Sequence, residues 1–414
     1  MITVGLDFGT HQTKVCIEES EGVEINYSFM KFEDTYRSEF YTLPSVVGVD
    51  KNGLMHYGFL NRDFDGRVVK YFKQSAFDAS ASYIMPQINA WYFSAWYIAF
   101  IIFDLENKYG QQFAIQMGAP TDSIHVEQAK EIATRIVSSA YRLVEDVFKN
   151  DKQRFLSTAM KELVEMTEIV PYSIDTKNNY GLLVFPEAYA CLMPLISQGK
   201  LETGMNLMID IGGGTTDISF FTIENNKPQV YAFYSLNKGL NFLTHADEVR
   251  NSGTHSNLAK TAKIDQKRKY FFMKDIKHVC GIIRTELFKN LEETDVQSWK
   301  LKQSLKKRPL IYSGGGSTFN SLRDPYDTYV DIILVSERQW NGSAIDEFDD
   351  IADKKLCPIL ATAYGLSVSA TNDDIVMKPL SEIFAKLRVQ KDDSHKVYDL
   401  GNKLSVYSDW DTLK

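Results

Sequence analysis

Cysteine is scarce in this sequence. The 414 residues include four, Cys16, Cys191, Cys280 and Cys357, too far apart for the close pairs of a metal site or redox motif. Two of them sit in apolar stretches, so buried free thiols in a reducing cytosol are expected. Positive charge is also short: 46 Lys and Arg stand against 54 Asp and Glu, a net charge of −8. No Lys/Arg stripe stands out, which argues against a general nucleic-acid binder. The basic patch Lys302–Arg308 reads as a solvated loop or helix end. Long apolar runs are missing too. The most apolar, Trp91–Phe103, falls short of the ~20 residues that span a bilayer, so no membrane span is expected. A charged motif begins almost at once, which does not suit a secretory signal. These readings give a cytoplasmic protein of ordinary globular composition, long enough for two lobes.

What the sequence does have is a glycine turn between two apolar runs: Leu207-Met208-Ile209-Asp210-Ile211-Gly212-Gly213-Gly214-Thr215-Thr216-Asp217-Ile218-Ser219-Phe220-Phe221. The pattern predicts strand, tight turn, strand. Consecutive glycines leave the backbone free and the turn clear of side chains. Several N–H groups can then point into one concavity, a nest that binds phosphate. Asp210 closes the first strand. A carboxylate beside phosphate needs a cation between them, so Asp210 implies Mg²⁺. An ordinary hairpin with a flexible turn is the simpler alternative. It loses ground because the device occurs twice. Val4-Gly5-Leu6-Asp7-Phe8-Gly9-Thr10-His11-Gln12-Thr13-Lys14-Val15-Cys16-Ile17 is again an apolar strand ending in Asp, then Gly, hydroxyl residues and a second strand. Two such units, about half a chain apart, suggest two similar lobes that offer phosphate loops to one ligand. Pro309-Leu310-Ile311-Tyr312-Ser313-Gly314-Gly315-Gly316-Ser317 is a third glycine cluster.

At these residues the chain resembles the actin-like ATPase superfamily: actin, the 70-kilodalton heat-shock (DnaK-type) chaperones, FtsA and MreB, and sugar kinases. The N-terminal stretch resembles the first phosphate loop. Leu207–Phe221 resembles the second, in the form Asp-x-Gly-Gly-Gly-Thr-x-Asp, and Ile311–Ser317 resembles the adenosine motif. Pro186-Glu187-Ala188-Tyr189-Ala190 and Ala361-Thr362-Ala363-Tyr364-Gly365-Leu366 resemble the two connecting helices. All five stand in the family's order and span nearly the whole chain. The resemblance implies an α/β, two-lobed actin-like fold, each lobe built on an RNase H-like mixed sheet flanked by helices. Lobe I would cover 1–200, with an outer subdomain at about 36–112. Lobe II would cover 201–370, with an outer subdomain at about 241–308, and 371–414 would be a C-terminal extension.

The ligand implied is ATP or ADP with Mg²⁺. Asp7 and Asp210 would hold the metal through water. Gly9, Thr10, Gln12 and Thr13 would contact β- and γ-phosphates, as would Gly212, Gly213, Gly214, Thr215 and Thr216 in the second loop. Lys14 falls where actin and FtsA place a phosphate-binding lysine. Gly314, Gly315, Gly316 and Ser317 would let adenosine approach the backbone. Lys73, with Lys70 as the alternative, falls in a segment resembling that of the chaperones' catalytic lysine. Glu187 stands where the family carries a water-positioning Glu or Gln; if Pro186 aligns with the chaperones' proline, Phe185 takes that place instead. Asp210 is counted with Lys73 and Glu187 as catalytic. His11 departs from the DnaK-type threonine, and either donates a hydrogen bond or faces solvent. Asp217 would shape the second loop. Lys277 and Arg284 are candidates for the adenine side, with a solvated role as the alternative.

Between the motifs, an aromatic helix is expected at 84–109, its tryptophans and tyrosines in the core. A strand at 112–118 should follow, then a helix over 123–149 capped by Asp122 or Ser123, an added helix at Arg154–Glu165, and a further strand. A strand at 231–240, a polar stretch at 244–269, a helix at 276–291 and strands at 309–313 and 330–335 are also expected. Asp346–Asp353 reads as an acidic loop. Three functions follow from the resemblance. One is a DnaK-like, slow Mg-dependent ATPase without a peptide-binding domain, acting as a nucleotide-controlled switch for a separate protein partner. The second is a filament-forming ATPase of the ParM, MreB or FtsA kind, and the third a small-molecule kinase, for which no substrate base can be placed.

Overall fold

The burial of Ile2–Phe8 (β1) is that of a central strand: all but its first residue are inside. A strand covered on both faces reads as a near-continuous apolar run. The computed structural model describes residues 1–34, 36–61, 63–78, 81, 84–110, 113–120, 126–169, 181–196, 204–224, 227–244, 264–289, 310–323, 332–334, 356–368 and 376–377. Within them the protein is mixed α/β, built on two six-stranded mixed sheets.

In the first sheet β1 pairs antiparallel with Gln12–Glu21 (β2), which pairs antiparallel with Glu24–Phe29 (β3). On its other side β1 pairs parallel with Phe113–Ala119 (β10), and β10 with Leu183–Pro186 (β11). Leu43–Pro44 (β6) adds to β2. The second sheet repeats the plan. Gly204–Ile211 (β12), Thr216–Glu224 (β13) and Lys227–Leu236 (β14) form the antiparallel meander. Leu310–Ser313 (β15) and Ile332–Leu334 (β16) lie parallel beyond β12. Val376–Met377 (β17) extends the β14 edge. Strand order and direction thus recur in the two halves. Two small sheets join the first half: Phe32–Glu33 (β4) with Glu39–Phe40 (β5), and Val46–Asp50 (β7) with Met55–Tyr57 (β8) and Gly66–Lys70 (β9).

Phe72–Phe77 (α1), Gln87–Tyr109 (α2) and Val126–Arg142 (α3), which runs into a π-turn at Leu143–Val147, belong to the core of the first half. α2 is long and apolar enough to cross a membrane by length and composition, longer than the run read from sequence, and most of it is buried. Trp96 Nε1 donates to Thr167 Oγ1 at 2.8 Å, and the Tyr97 hydroxyl to the carbonyls of Leu43 and Pro44. These aromatics are core, as expected, with their polar atoms satisfied. The helix expected at 154–165 is two helices, Lys152–Ser157 (α4) and Met160–Ile169 (α5). Thr158 is extended and Ala159 bridges to Leu54, which takes the backbone out of helical register.

Glu187–Ile196 (α6) and Cys357–Ser367 (α9) exchange sides. α6 follows the first sheet yet buries Ala188, Cys191 and Leu192 against Met208, Phe221, Val230 and Ile311 of the second. α9 packs Ile359, Leu360, Ala363 and Tyr364 with Cys16, Tyr27 and Phe29 of the first. The packing has no room for side chains at two glycines. A Cβ on Gly5 would lie 2.3 Å from the Ala363 carbonyl oxygen, and one on Gly365 1.8 Å from that of Ala190.

The strand expected at 231–240 instead runs Lys227–Leu236, and a short helix, Leu240–Leu243 (α7), follows Gly239. Gln266–Lys289 (α8) starts earlier than expected and packs Phe272, Ile276, Val279 and Ile283 into the second core. After β15 the chain makes two 3₁₀ turns, Gly315–Thr318 and Asn320–Leu322. The Asp122/Ser123 cap, the strand after 165, the patch 302–308, the stretches 245–263 and 346–353, the 200/201 boundary and most of the C-terminal extension lie outside the described residues.

Candidate functional site

The two glycine turns have the same length and register. Across β1 and β2, Asp7 faces Lys14; across β12 and β13, Asp210 faces Asp217. The threonines just before those partners also correspond. Thr13 is buried, its Oγ1 3.1 Å from Ser45 Oγ, which donates on to the Gly9 carbonyl at 2.7 Å. Thr216 is buried and donates to the Lys238 carbonyl at 2.8 Å. Both hydroxyls hold their loops to the following chain, so the phosphate contacts expected of Thr13 and Thr216 do not fit: alternation along the strand turns them inward.

The loops face each other. A Cβ on Gly213 would sit 1.9 Å from His11 Cδ2, and one on Gly214 3.1 Å from Thr10 Cγ2. The second loop is braced from behind, where the α7 amides of Leu240 and Asn241 donate to the Gly212 and Gly213 carbonyls at 3.1 and 2.9 Å.

A cleft of about 590 Å³, counted out to open solvent, lies at these loops. Asp7, Gly9, Thr10, Gln12, Lys14, Lys73, Glu187, Asp210, Gly212, Gly213, Gly214, Thr215, Gly314 and Gly315 line it, all predicted from sequence. Gly316 and Ser317 do not line it. Both are buried, and Ser317 Oγ donates to the Gly314 carbonyl at 2.6 Å, because the chain turns into 3₁₀ structure there. Phe185 is core, packed on Ala190 and Leu366. Lys70 ends β9 and does not line the cleft. Lys277, also away from it, is exposed, and the Arg284 side chain is outside the described residues.

Lys73 reaches the cleft because Tyr71 adopts a left-handed backbone (φ 61°) that turns β9 into α1. Its Nζ donates to Glu187 Oε1 at 2.5 Å. Glu187 opens α6, where a carboxylate is favoured by the helix dipole, and Gly118 leaves it room: a Cβ there would be 2.7 Å from Glu187 Cγ. Lys14 Nζ donates to Asp7 Oδ2 at 2.7 Å. Four carboxylates and two ammonium groups therefore face the cleft, and both ammonium groups are already paired. Asp210 and Asp217 are the excess. Burial, with Asp7 and Glu187 nearby, raises Asp210 to about 6 against the help of Cys191 and Lys14. Burial raises Asp217 to about 8, aided by Asp210 and Glu187 and opposed by Ser235 and Lys73.

Sequence reasoning missed what holds Asp210. Cys191 Sγ donates to Asp210 Oδ2 at 3.0 Å and lies 2.8 Å from Thr362 Oγ1. Burial and the neighbouring carboxylates push this thiol well above its usual range, so it keeps its proton. The available signal was spacing: Glu187 and Cys191 are four apart on α6, and Ile359 and Thr362, both lining the cleft, are three apart on α9. His11 also lines the cleft and is part-buried. Its ring lies edge-on to Tyr71 at 5.6 Å, and burial lowers it to about 4, against the Asn241 side chain and the Gly213 backbone and with Lys70 and Lys14. It is therefore neutral, with Nε2 buried and without a hydrogen-bond partner among the described residues; Gln12 Oε1 is the same.

The lining could hold a phosphate chain and a hydrated metal ion. A six-glycine lining leaves room for phosphate against the backbone. Gly314 (φ 79°) has no space for a Cβ, which would fall 2.1 Å from Asp210 Oδ1. No group of three metal-ligating side chains occurs among the described residues. An ion beside Asp210 would thus have at most one or two carboxylates and would complete its shell with water and phosphate, the habit of Mg²⁺. No family model and no curated protein matches the sequence.

Proposed function

We propose that the protein is a two-lobed, actin-like ATPase that binds ATP or ADP with Mg²⁺ between its two glycine loops and switches a separate protein partner. One observation carries this reading: two loops of equal length and register, one from each of two sheets with the same strand plan, meet across a cleft containing Lys14, Lys73, Glu187 and Asp210. A duplicated device facing itself grips a single chain of phosphates from both sides. Each sheet carries one loop, and α6 and α9 cross beneath the cleft. Closure on a triphosphate and opening on a diphosphate would turn those sheets relative to each other, a difference another protein can read.

Catalysis of phosphoryl transfer is mostly positioning and charge neutralisation. The backbone amides of Thr10–Gln12 and Gly213–Thr215 hold the phosphates, those of Gly9 and Gly212 being bonded to the Asp7 and Thr215 carbonyls within the loops. Lys14 balances their charge. Glu187 accepts the proton of the attacking water, and Lys73, bonded to Glu187, fixes its direction. Bound Mg²⁺ would neutralise phosphate oxygens next to Asp210. A cytoplasmic site of action follows from the same reading.

The test is single-turnover ATP hydrolysis by wild type and Glu187→Gln, with sedimentation of the same samples. Slow turnover that Glu187→Gln removes while nucleotide stays bound, with nothing pelleting, supports the switch. ATP-driven pelleting would replace it with the filament reading. Unchanged turnover in Glu187→Gln would remove Glu187 from the mechanism.

A further inference from the structure

The Asp210 carboxylate is part-buried at the cleft and has no ion pair with an ammonium group among the described residues. Its two oxygens meet different surroundings. Oδ1 lies against the backbone at Gly314, where even a methyl group would not fit. Oδ2 accepts from the Cys191 thiol, which is fully buried. The thiol has one proton. If that proton goes to Asp210, the Thr362 hydroxyl, 2.8 Å from the sulfur, must be the donor to Sγ. A directed chain results: Thr362 to Cys191 to Asp210. Its members come from α9, α6 and β12, the two crossing helices and the strand that carries the second loop. Glu187 sits one turn before Cys191 on α6 and bonds to Lys73, so the same helix holds carboxylates on both sides of the cleft.

We infer that Cys191 and Thr362 are positioning residues that fix the Asp210 carboxylate from behind and so set how tightly the site takes Mg²⁺ with nucleotide. This rests on the nucleotide reading above. An acid that must orient toward a hydrated cation has two rotatable bonds to restrain. Packing against Gly314 removes one freedom, and a hydrogen bond to the other oxygen removes the rest. Outer partners of this kind are worth ~10–100-fold in metal affinity where they have been removed. An alanine at 191 leaves Oδ2 without its thiol donor and the carboxylate free to turn. A serine restores an O–H donor at nearly the same place.

The experiment is equilibrium binding of a fluorescent ADP to the full chain, titrated with Mg²⁺, for wild type, Cys191→Ala, Cys191→Ser, Thr362→Val and Asp210→Ala, each checked for folding by thermal melting. Cys191→Ala should raise the Mg²⁺ concentration at half-effect about tenfold and leave binding in EDTA unchanged. Thr362→Val should move it the same way by less, and Cys191→Ser should stay near wild type. Asp210→Ala should lose the Mg²⁺ response, and adding Cys191→Ala to it should change nothing further. If Cys191→Ala keeps the wild-type Mg²⁺ dependence while Asp210→Ala loses it, the positioning role is wrong and the nucleotide reading stands. A Cys191→Ser protein as impaired as Cys191→Ala would also overturn it, since packing rather than the donor would then matter. If wild type binds no ADP, the nucleotide reading fails and takes this inference with it.

Discussion

Replacing Gly365 by alanine should destabilise the protein, whereas the same change at Gly281 should stabilise it. Both glycines lie inside helices, α9 and α8, where alanine is favoured over glycine by about 1 kcal/mol. Among the described residues a Cβ on Gly281 meets nothing within 4 Å, so most of that gain should appear, roughly 0.5–1 kcal/mol. A Cβ on Gly365 would lie 1.8 Å from the Ala190 carbonyl oxygen and 2.7 Å from its carbon. Comfortable separations are ~3.5–4.0 Å, so the helices must part by well over an ångström at their crossing. The obstacle is backbone, which cannot rotate aside as a side chain would. Overpacking costs ~1–3 kcal/mol, and this instance belongs at the upper end. After the helix-propensity gain, a net loss of about 1–2 kcal/mol remains. Urea unfolding followed by circular dichroism reads both variants: the midpoint should fall for Gly365→Ala and rise for Gly281→Ala. Parting α6 from α9 also draws Thr362 from Cys191, so nucleotide affinity should fall with the midpoint in Gly365→Ala alone. Equal and same-signed shifts at the two glycines would refute the reasoning.

Gly213→Ala should distort the loops, since its Cβ would meet the His11 ring at 1.9 Å; His11→Ala in the same chain should restore nucleotide binding, and a double-mutant cycle with coupling below about 0.5 kcal/mol would count against the contact. Burial lowers His11 from 6.5 to about 4, so between those values the unfolded chain binds a proton that the folded one refuses. Its contribution is complete above pH 6.5 and is lost as pH falls toward 4, by at most about 3 kcal/mol. The stability of wild type relative to His11→Asn should therefore be constant above pH 7 and drop in acid; a difference independent of pH would contradict the burial. Lys73→Met should cut turnover more than ADP affinity, because it leaves Glu187 undirected without removing the loops; a loss confined to affinity would point to phosphate contact instead.

Much of the site was legible because glycine clusters and strand-ending acids are local signals. Asp7, Asp210 and the turns around them could be read within a few residues of chain. The equivalence of Lys14 and Asp217 needed the strand register, although both stand seven residues after their acid. Thr13 and Thr216 misled because hydroxyls beside a glycine loop look like ligands, and only strand alternation shows which side they take. His11 could not be placed, since its neighbour Gly213 is half a chain away. Cys191 looked like any buried thiol; its partner Asp210 and its neighbour Thr362 come from other elements, so the hydrogen bonds exist only after α6 and α9 cross. The break between α4 and α5 depends on a bridge from Leu54 to Ala159, and no local propensity announces it.

The most direct test of the account is calorimetric titration of ATP and of ADP, each with and without Mg²⁺, into wild type and Asp210→Ala. A nucleotide site between the two loops requires saturable binding of both nucleotides to wild type, strengthened by Mg²⁺, and at least about a tenfold loss of that strengthening in Asp210→Ala. Folded wild type that takes up neither nucleotide, with or without the metal, would contradict it.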